Sequence, residues 1–233
     1  MAAAVTNLAW AVALLVGGIL VWQIHRLLQA CRKANRVDWG RDWMNLVDGL
    51  NRLLCYRYHR LNVVGLRLPK SGPAIVVANH ISGLDPLLLI ASSRRPLRFL
   101  VAREQYQRFG LTWLLSAIGC IPVDRERKSE RALRSALRAL REGEVIAIFP
   151  HGKIHLDSEP PRQIKAGAVR LAQLAGASIL PLRITGVAGT GHVVRGVLIR
   201  GHARVEAFPA IDTVGREPRE LLSELQQILD GHC

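Results

Sequence analysis

Acidic residues are scarce in this chain. Across 233 residues, 18 Asp+Glu stand against 32 Lys+Arg, a formal net charge of +14. An excess of that size points to anionic partners: nucleic acid, acidic lipid headgroups, an acidic carrier protein or phosphorylated substrates. Aromatic residues are also few, at 5%, and four of the five tryptophans fall within the first 43 residues. Single-stranded nucleic acid is commonly held by stacking aromatics beside basic groups, so this composition disfavours a nucleic-acid-binding role. The four cysteines, Cys31, Cys55, Cys120 and Cys233, form no CxxC pair and no Cys/His cluster at zinc-ligand spacing. Reduced thiols, no structural metal and no bound cofactor are therefore expected.

Charge is missing altogether from residues 1 to 24, where Leu8 to Ile24 is an almost unbroken apolar run of 17 residues bracketed by Trp10 and Trp22. As a helix this run is about 25 Å long, close to the roughly 30 Å hydrocarbon core of a bilayer. Arg26, Arg32, Lys33 and Arg36 follow directly. By the positive-inside rule, the bulk of the chain then lies on the cytoplasmic face of a membrane. A cleaved leader would carry positive charge ahead of its apolar core, so the segment is expected to remain as an anchor.

The chain as a whole is far from disordered, with 49% hydrophobic residues and a mean hydropathy of +0.16. One globular domain with an appendage is expected: residues 1–60 as apolar anchor and amphipathic helix, and 61–233 as an α/β domain. From Asp38 to about Tyr56, apolar Trp39, Trp43, Leu46, Leu50, Leu53 and Leu54 recur at helical spacing, with Arg41, Asp42, Asp48 and Arg52 off that stripe. This pattern suits either a membrane interface or packing on the globular domain.

Beyond residue 60, short β-rich runs alternate with helical ones. Strands are predicted over 74–78, 97–102, 144–149, 179–184, 196–200 and 203–208. Helices are predicted over 105–118, 129–142, 167–175 and 218–229, with Ser129 as N-cap and Gly143 as C-terminal stop. Such alternation argues for a largely parallel or mixed sheet with surrounding helices. The helix over 129–142 carries Leu133, Leu137 and Leu140 on one face and Arg131, Arg134, Arg138 and Arg141 on another. That basic face is either merely solvated or meets lipid phosphates, CoA phosphates or an acidic carrier protein.

The sharpest local feature is Asn79-His80-Ile81-Ser82-Gly83-Leu84-Asp85, placed directly after the run AIVVA. A turn there folds the Asp85 carboxylate back onto the His80 imidazole, fixing its tautomer and freeing the other nitrogen to accept a proton. The base then acts on a hydroxyl of the substrate itself. Ser82 has no GxSxG context, which speaks against a Ser-His-Asp hydrolase. Three more segments end strand-like runs with polar or proline-marked turns: Gly119 to Arg125 (GCIPVDR), Phe149 to Lys153 (FPHGK) and Ile179 to Leu182 (ILPL). In an α/β sheet such ends converge on one crevice.

Taken together and in this order, the four segments resemble the 1-acylglycerol-3-phosphate acyltransferase family of glycerolipid acyltransferases, over about residues 60 to 208. NHISGLD resembles its NHxxxxD block, and FPHGK its third block, usually FPEGTR. The resemblance implies that His80 is the general base and Asp85 its orienting partner. The acyl donor would be the thioester of acyl-CoA or acyl-carrier protein, and the acceptor a lysophospholipid hydroxyl, with lysophosphatidate foremost. It further implies that Arg125 contacts the acceptor phosphate and that Gly152 permits close backbone approach. The family's Glu, Thr and Arg correspond here to His151, Lys153 and Ile154, so Lys153 or Lys165 would have to replace the lost phosphate contact. That departure leaves open another acceptor, such as a lyso-ornithine lipid. A non-catalytic membrane or nucleic-acid-binding protein is the alternative from a different class.

Overall fold

The computed structural model describes residues 2–107, 110, 112–124, 130–156, 158–160 and 162–231. In chain order these form α1 (Ala2–Ala34), α2 (Asp42–Leu53), a π-helical turn (Leu54–Tyr58), β1 (Asn62–Val64), β2 (Ala74–Ala78), α3 (Asp85–Ser92), β3 (Leu97–Ala102), α4 (Arg103–Tyr106), α5 (Thr112–Ile118), β4 (Ile121–Val123), α6 (Glu130–Arg141), β5 (Val145–Ile148), α7 (Gly167–Ala175), β6 (Ile179–Thr185), α8 (Arg195–Leu198), β7 (Arg204–Ala207) and α9 (Pro218–Asp230).

The strands join one sheet in the order β1-β7-β6-β2-β5-β3-β4. Every pairing is parallel except β6 with β7. The expected α/β architecture with a mixed sheet is present. β2 lies between β5 and β6, and all five of its residues are buried. A run such as AIVVA, apolar on both faces, suits a central parallel strand covered by helices on both sides.

Alternate residues of the strands supply two cores. Val76, Leu97, Phe99, Val145 and Leu182 pack with α3, and with Leu115 and Ile118 of α5. Ile75, Val77, Ile146, Ile148 and Ile179 face the opposite layer, made by α6, α7 and α9. Because β2 to β6 run parallel, their carboxyl ends share one edge of the sheet.

Three sequence expectations need correction. The run 196–200 is not a strand: Arg195–Leu198 is a short helical turn. β7 already has β6 on one side and the three-residue β1 on the other, so it offers that run no free edge. The helix expected over 105–118 is divided into α4 and α5, with Gly110 at φ +80° between them. The amphipathic helix expected from Asp38 begins at Asp42. The N-cap expected at Ser129 lies outside the described residues.

α2 is inside out relative to a helix of an ordinary soluble domain. Its buried side holds Met44, Asp48, Asn51 and Arg52, whereas Trp43, Val47 and Leu50 are exposed, Leu50 at 51%. The inward polar groups are paired. Arg52 Nε donates to Asp48 at 2.6 Å, and its remaining nitrogens donate to the carbonyls of Ile90, Ala91 and Ser93. Those carbonyls end α3, where backbone acceptors lack helical partners and the helix dipole favours a cation. Asn51 donates to the Leu87 carbonyl at 3.0 Å, locking α2 along α3.

Outside, α1 leaves Leu14, Leu15, Ile19, Val21 and Trp22 exposed, and Trp43 meets exposed Trp113 of α5 at 5.3 Å. Ala13–Ala34 is long and apolar enough to cross a membrane, with a mean hydropathy of 1.4.

Asp48→Ala should cost about 3–5 kcal/mol, because it leaves a buried guanidinium without its counter-ion. Leu50→Ser, on the outward face of the same helix, should stay within about 0.5 kcal/mol. Denaturant unfolding in mild detergent measures both.

Candidate active site

The first turn after β2 is built around one carboxylate. Asp85, at the start of α3 and 0% exposed, accepts three hydrogen bonds on Oδ2: from His80 Nδ1 at 2.8 Å, from the Ile81 N–H at 2.7 Å and from the Ser82 N–H at 2.8 Å. A carboxylate only accepts, so the Nδ1 proton of His80 stays on the Asp85 side and Nε2 is left with a free lone pair. The His80 side chain remains 19% exposed. The structure thus brings His80 and Asp85 together, with the imidazole half-open and the carboxylate sealed.

Two neighbours hold the imidazole in place. Phe149 of the FPHGK turn stacks on the His80 ring at 4.3 Å and 22°, and the His155 N–H donates to the His80 carbonyl at 2.7 Å. Asn79 closes the strand end below them. Its side-chain amide donates to the Ile184 carbonyl at 2.9 Å and accepts from the Ile184 N–H at 2.7 Å, extending the pairing of β2 with β6 by one side chain. No role for Asn79, Phe149 or His155 follows from the sequence pattern alone. Their part is to position His80, and the place of Asn79 directly after AIVVA is the one available signal.

Ser82 and Gly83 are small for a packing reason. The Gly191 N–H donates to the Ile81 carbonyl and the Gly83 N–H to the His192 carbonyl, so the segment over 191–193 lies directly on this turn. A Cβ on Gly83 would come within 2.2 Å of the Val193 carbonyl oxygen. Ser82 is buried and its Oγ accepts from the Leu84 N–H at 3.2 Å, a turn-forming role rather than a nucleophilic one.

The other predicted residues divide. Gly152 has φ +71°, a left-handed conformation that suits glycine, and a Cβ there would lie 3.3 Å from Lys165 Nζ. Gly152 and Lys165 are therefore neighbours, and the Lys165 N–H donates to the Pro150 carbonyl of the same turn at 3.1 Å. Lys153 is exposed in that turn. Arg125 lies outside the described residues; Asp124 just before it sits at the end of β4, with Arg103 Nη1 at 3.9 Å.

His151, standing where the resemblance leads one to expect glutamate, is only 3% exposed. Neither ring nitrogen makes a hydrogen bond of good geometry with the described residues. Burial, and secondarily the nearby His155, hold its pKa below the ordinary 6.5. Burial does the same to His59. The cysteine thiols are free and buried at Cys31, Cys55 and Cys120, and burial pushes Cys55 up to about 12 and Cys120 to about 11, which makes them poor nucleophiles. Cys233 lies outside the described residues.

Beside the dyad, a cavity of about 270 Å³ is lined by Ile81, Leu156, Ser158, Ile184, Thr185, Gly186 and Thr190. Among the described residues its walls combine three hydroxyls with aliphatic side chains. It lies between the first turn, the loop after β5 and the end of β6.

A mostly parallel α/β sheet carries a buried carboxylate that orients a half-open histidine at its carboxyl edge, where ligand sites of such sheets lie. Residues 60–185 match the profile of the acyltransferase family, and the chain belongs to that family. Among its relatives, the probable 1-acyl-sn-glycerol-3-phosphate acyltransferase of Mycoplasma genitalium is 37% identical over 129 residues, covering 52% of this chain and 47% of the relative. The 1-acyl-sn-glycerol-3-phosphate acyltransferase of Bacillus subtilis is 27% identical over 120 residues, covering 51% and 59%. The N-acylphosphatidylethanolamine synthase of Arabidopsis thaliana is 28% identical over 132 residues, covering 52% and 45%. The matches span about half the length of these curated relatives. The crystal structure of the 1-acyl-sn-glycerophosphate acyltransferase PlsC from Thermotoga maritima shares the fold, with a TM-score of 0.65 at 20% identity over 94% of this chain and 87% of that one.

A histidine with a lowered pKa binds fewer protons folded than unfolded. Its contribution to stability is present above the ordinary value of 6.5 and is lost as pH falls below it. Unfolding midpoints should therefore drop between about pH 7.5 and 5.5. His151→Gln should reduce that drop, with His59 supplying the remainder.

Proposed function

We propose that this chain is a membrane-associated O-acyltransferase that moves a fatty acyl group from a thioester donor, acyl-CoA or acyl-carrier protein, to the free hydroxyl of a lysophospholipid, with lysophosphatidate the leading acceptor. The observation that carries the reading is the His80–Asp85 pair, with Nδ1 of His80 held by the carboxylate and the half-open ring at the carboxyl edge of the sheet. Membership of the acyltransferase family and the names of the relatives support the reaction and the acceptor class.

In this mechanism Nε2 takes the proton of the acceptor hydroxyl as its oxygen attacks the thioester carbonyl. Asp85 stabilises the imidazolium that forms, and the tetrahedral intermediate collapses by expelling the thiolate, which recovers the proton from His80. The cavity beside Ile81 suits an uncharged part of a substrate, since its described walls are hydroxyl groups and aliphatic side chains. Lys165 and Lys153 are the cations assigned to the acceptor phosphate, together with Arg125.

His151 favours a second acceptor. A buried imidazole in place of the expected glutamate, with lysines in place of an arginine fork, weakens the case for a dedicated phosphate clamp. Another lyso-lipid, such as a lyso-ornithine lipid, fits that altered turn. Membrane association rests on the outward apolar surface of α1, α2 and α5, and the cations after the apolar run favour the cytoplasmic face.

His80→Ala should abolish transfer, and Asp85→Asn should lower kcat by about 10²–10⁴-fold through loss of the oriented base. Product mass spectrometry with mixed lyso-lipids and both donors reads out reaction and acceptor together. Retained wild-type turnover in folded His80→Ala would sink the assignment. Leu50→Glu should weaken binding to lipid vesicles while leaving turnover on detergent-dispersed substrate near wild type.

A further inference from the structure

The outward face of α6 carries Arg131, Arg134, Arg138 and Arg141, all exposed. Their spacing of three, four and three residues sets them on one side of the helix, over about 15 Å of its length. None makes an ion pair with the described residues. Five arginines elsewhere pair with carboxylates: Arg52 with Asp48, Arg98 with Glu144, Arg103 with Asp124, Arg204 with Glu206, and Arg216 with Glu220 and Glu224. Within α6 the acidic residue is Glu130, at the very start, and Glu142 follows its end.

Helix stability does not account for this row. Like charges three and four residues apart repel on a helix surface. Arg138 and Arg141 complement the negative end of the helix dipole, but Arg131 stands in the first turn, at the positive end, where a cation is unfavourable. The inward side is already served by Ala132, Ala136, Ala139 and Leu140, which fill the core against β5 and α7. The arginines are extra to the fold.

From this placement we propose that the outward face of α6 docks an acidic protein that delivers the acyl group as a thioester on a flexible arm. The inference rests on the acyl-transfer reading above and selects between its two donors. Three observations choose this occupant. First, the row is helix-long, which matches carboxylates spaced along a facing helix, whereas the few phosphates of a small donor engage only part of it. Second, α6 belongs to the layer opposite the one that exposes Trp43, Val47, Leu50 and Trp113, so a bilayer lying against that apolar layer does not also cover the arginines. Third, α6 follows β4, and its first turn lies at the same sheet edge as His80. A partner along α6 therefore sits at the rim of the crevice, and its thioester arm enters from there.

The test compares one acyl group on two donors, an acidic acyl-carrier protein and CoA, with the full chain in neutral detergent. Arg134→Glu with Arg138→Glu should raise KM for the carrier-borne donor about tenfold or more while kcat stays within about twofold. Turnover with the CoA thioester should be unaltered. Arg134→Lys with Arg138→Lys should retain most of the affinity, and added salt should weaken the wild type far more than the Glu variant. Equal loss with both donors, or an unchanged KM for the carrier, overturns the proposal. So does weaker binding of the Glu variant to anionic vesicles at unchanged carrier KM, which would give the face to lipid. If the wild type transfers from neither donor, the acyl-transfer reading fails by itself. Direct binding of the carrier to the immobilised chain then decides the docking claim: a Kd about tenfold weaker in the Glu variant supports it, and an unchanged Kd overturns it.

Discussion

A carboxylate with no exposure to water has to be answered by hydrogen bonds, and the arrangement of the sheet's carboxyl edge follows from how Asp85 is answered. Two of its three donors are backbone N–H groups of the turn that ends β2, and the third is His80. That set exists only if the chain turns immediately after the strand and α3 starts at residue 85. The turn in turn requires Asn79 to finish the β2–β6 pairing with its side chain, and Gly83 to admit the segment over 191–193. Orientation of the His80 imidazole is thus a consequence of burying Asp85.

The helix that holds Asp85 at one end is held by Arg52 at the other. Arg52 satisfies the last carbonyls of α3 and neutralises Asp48, so the N-terminal α2 is fastened to the element that positions the dyad. Because these inward contacts are polar, the apolar residues of α2 are free to face outward beside Trp113 of α5. An outward apolar surface and a positioned carboxylate therefore share one short helix as their support. This connection gives a physical reason why the amphipathic segment adjoins the catalytic domain instead of trailing from it.

The excess positive charge is unevenly used. Arg98 beside the sheet and Arg216 beside α9 are matched by carboxylates, while the row on α6 pairs with none among the described residues. The apolar surface and the arginine row of α6 lie on opposite layers of the sheet. A basic, apolar composition is thereby resolved into two surfaces of different chemistry, with the dyad at the edge between the layers.

Much of this was legible in the residues themselves. AIVVA announces a central strand, and the His-to-Asp spacing of NHISGLD foretells the dyad, because both depend on short local patterns. The apolar run of α1 and the alternation of faces on α6 are equally local. What the tertiary structure decided are matters of pairing between distant segments. The run over 196–200 has strand composition but finds no free edge, since β1, too short to announce itself, occupies it. The stripe of α2 could be identified, but not which side faces inward. That depended on Arg52 and Asp48 finding α3, with Arg52 reaching carbonyls 39 and 41 residues further along the chain, and a buried polar face is stable only when those partners are already in place.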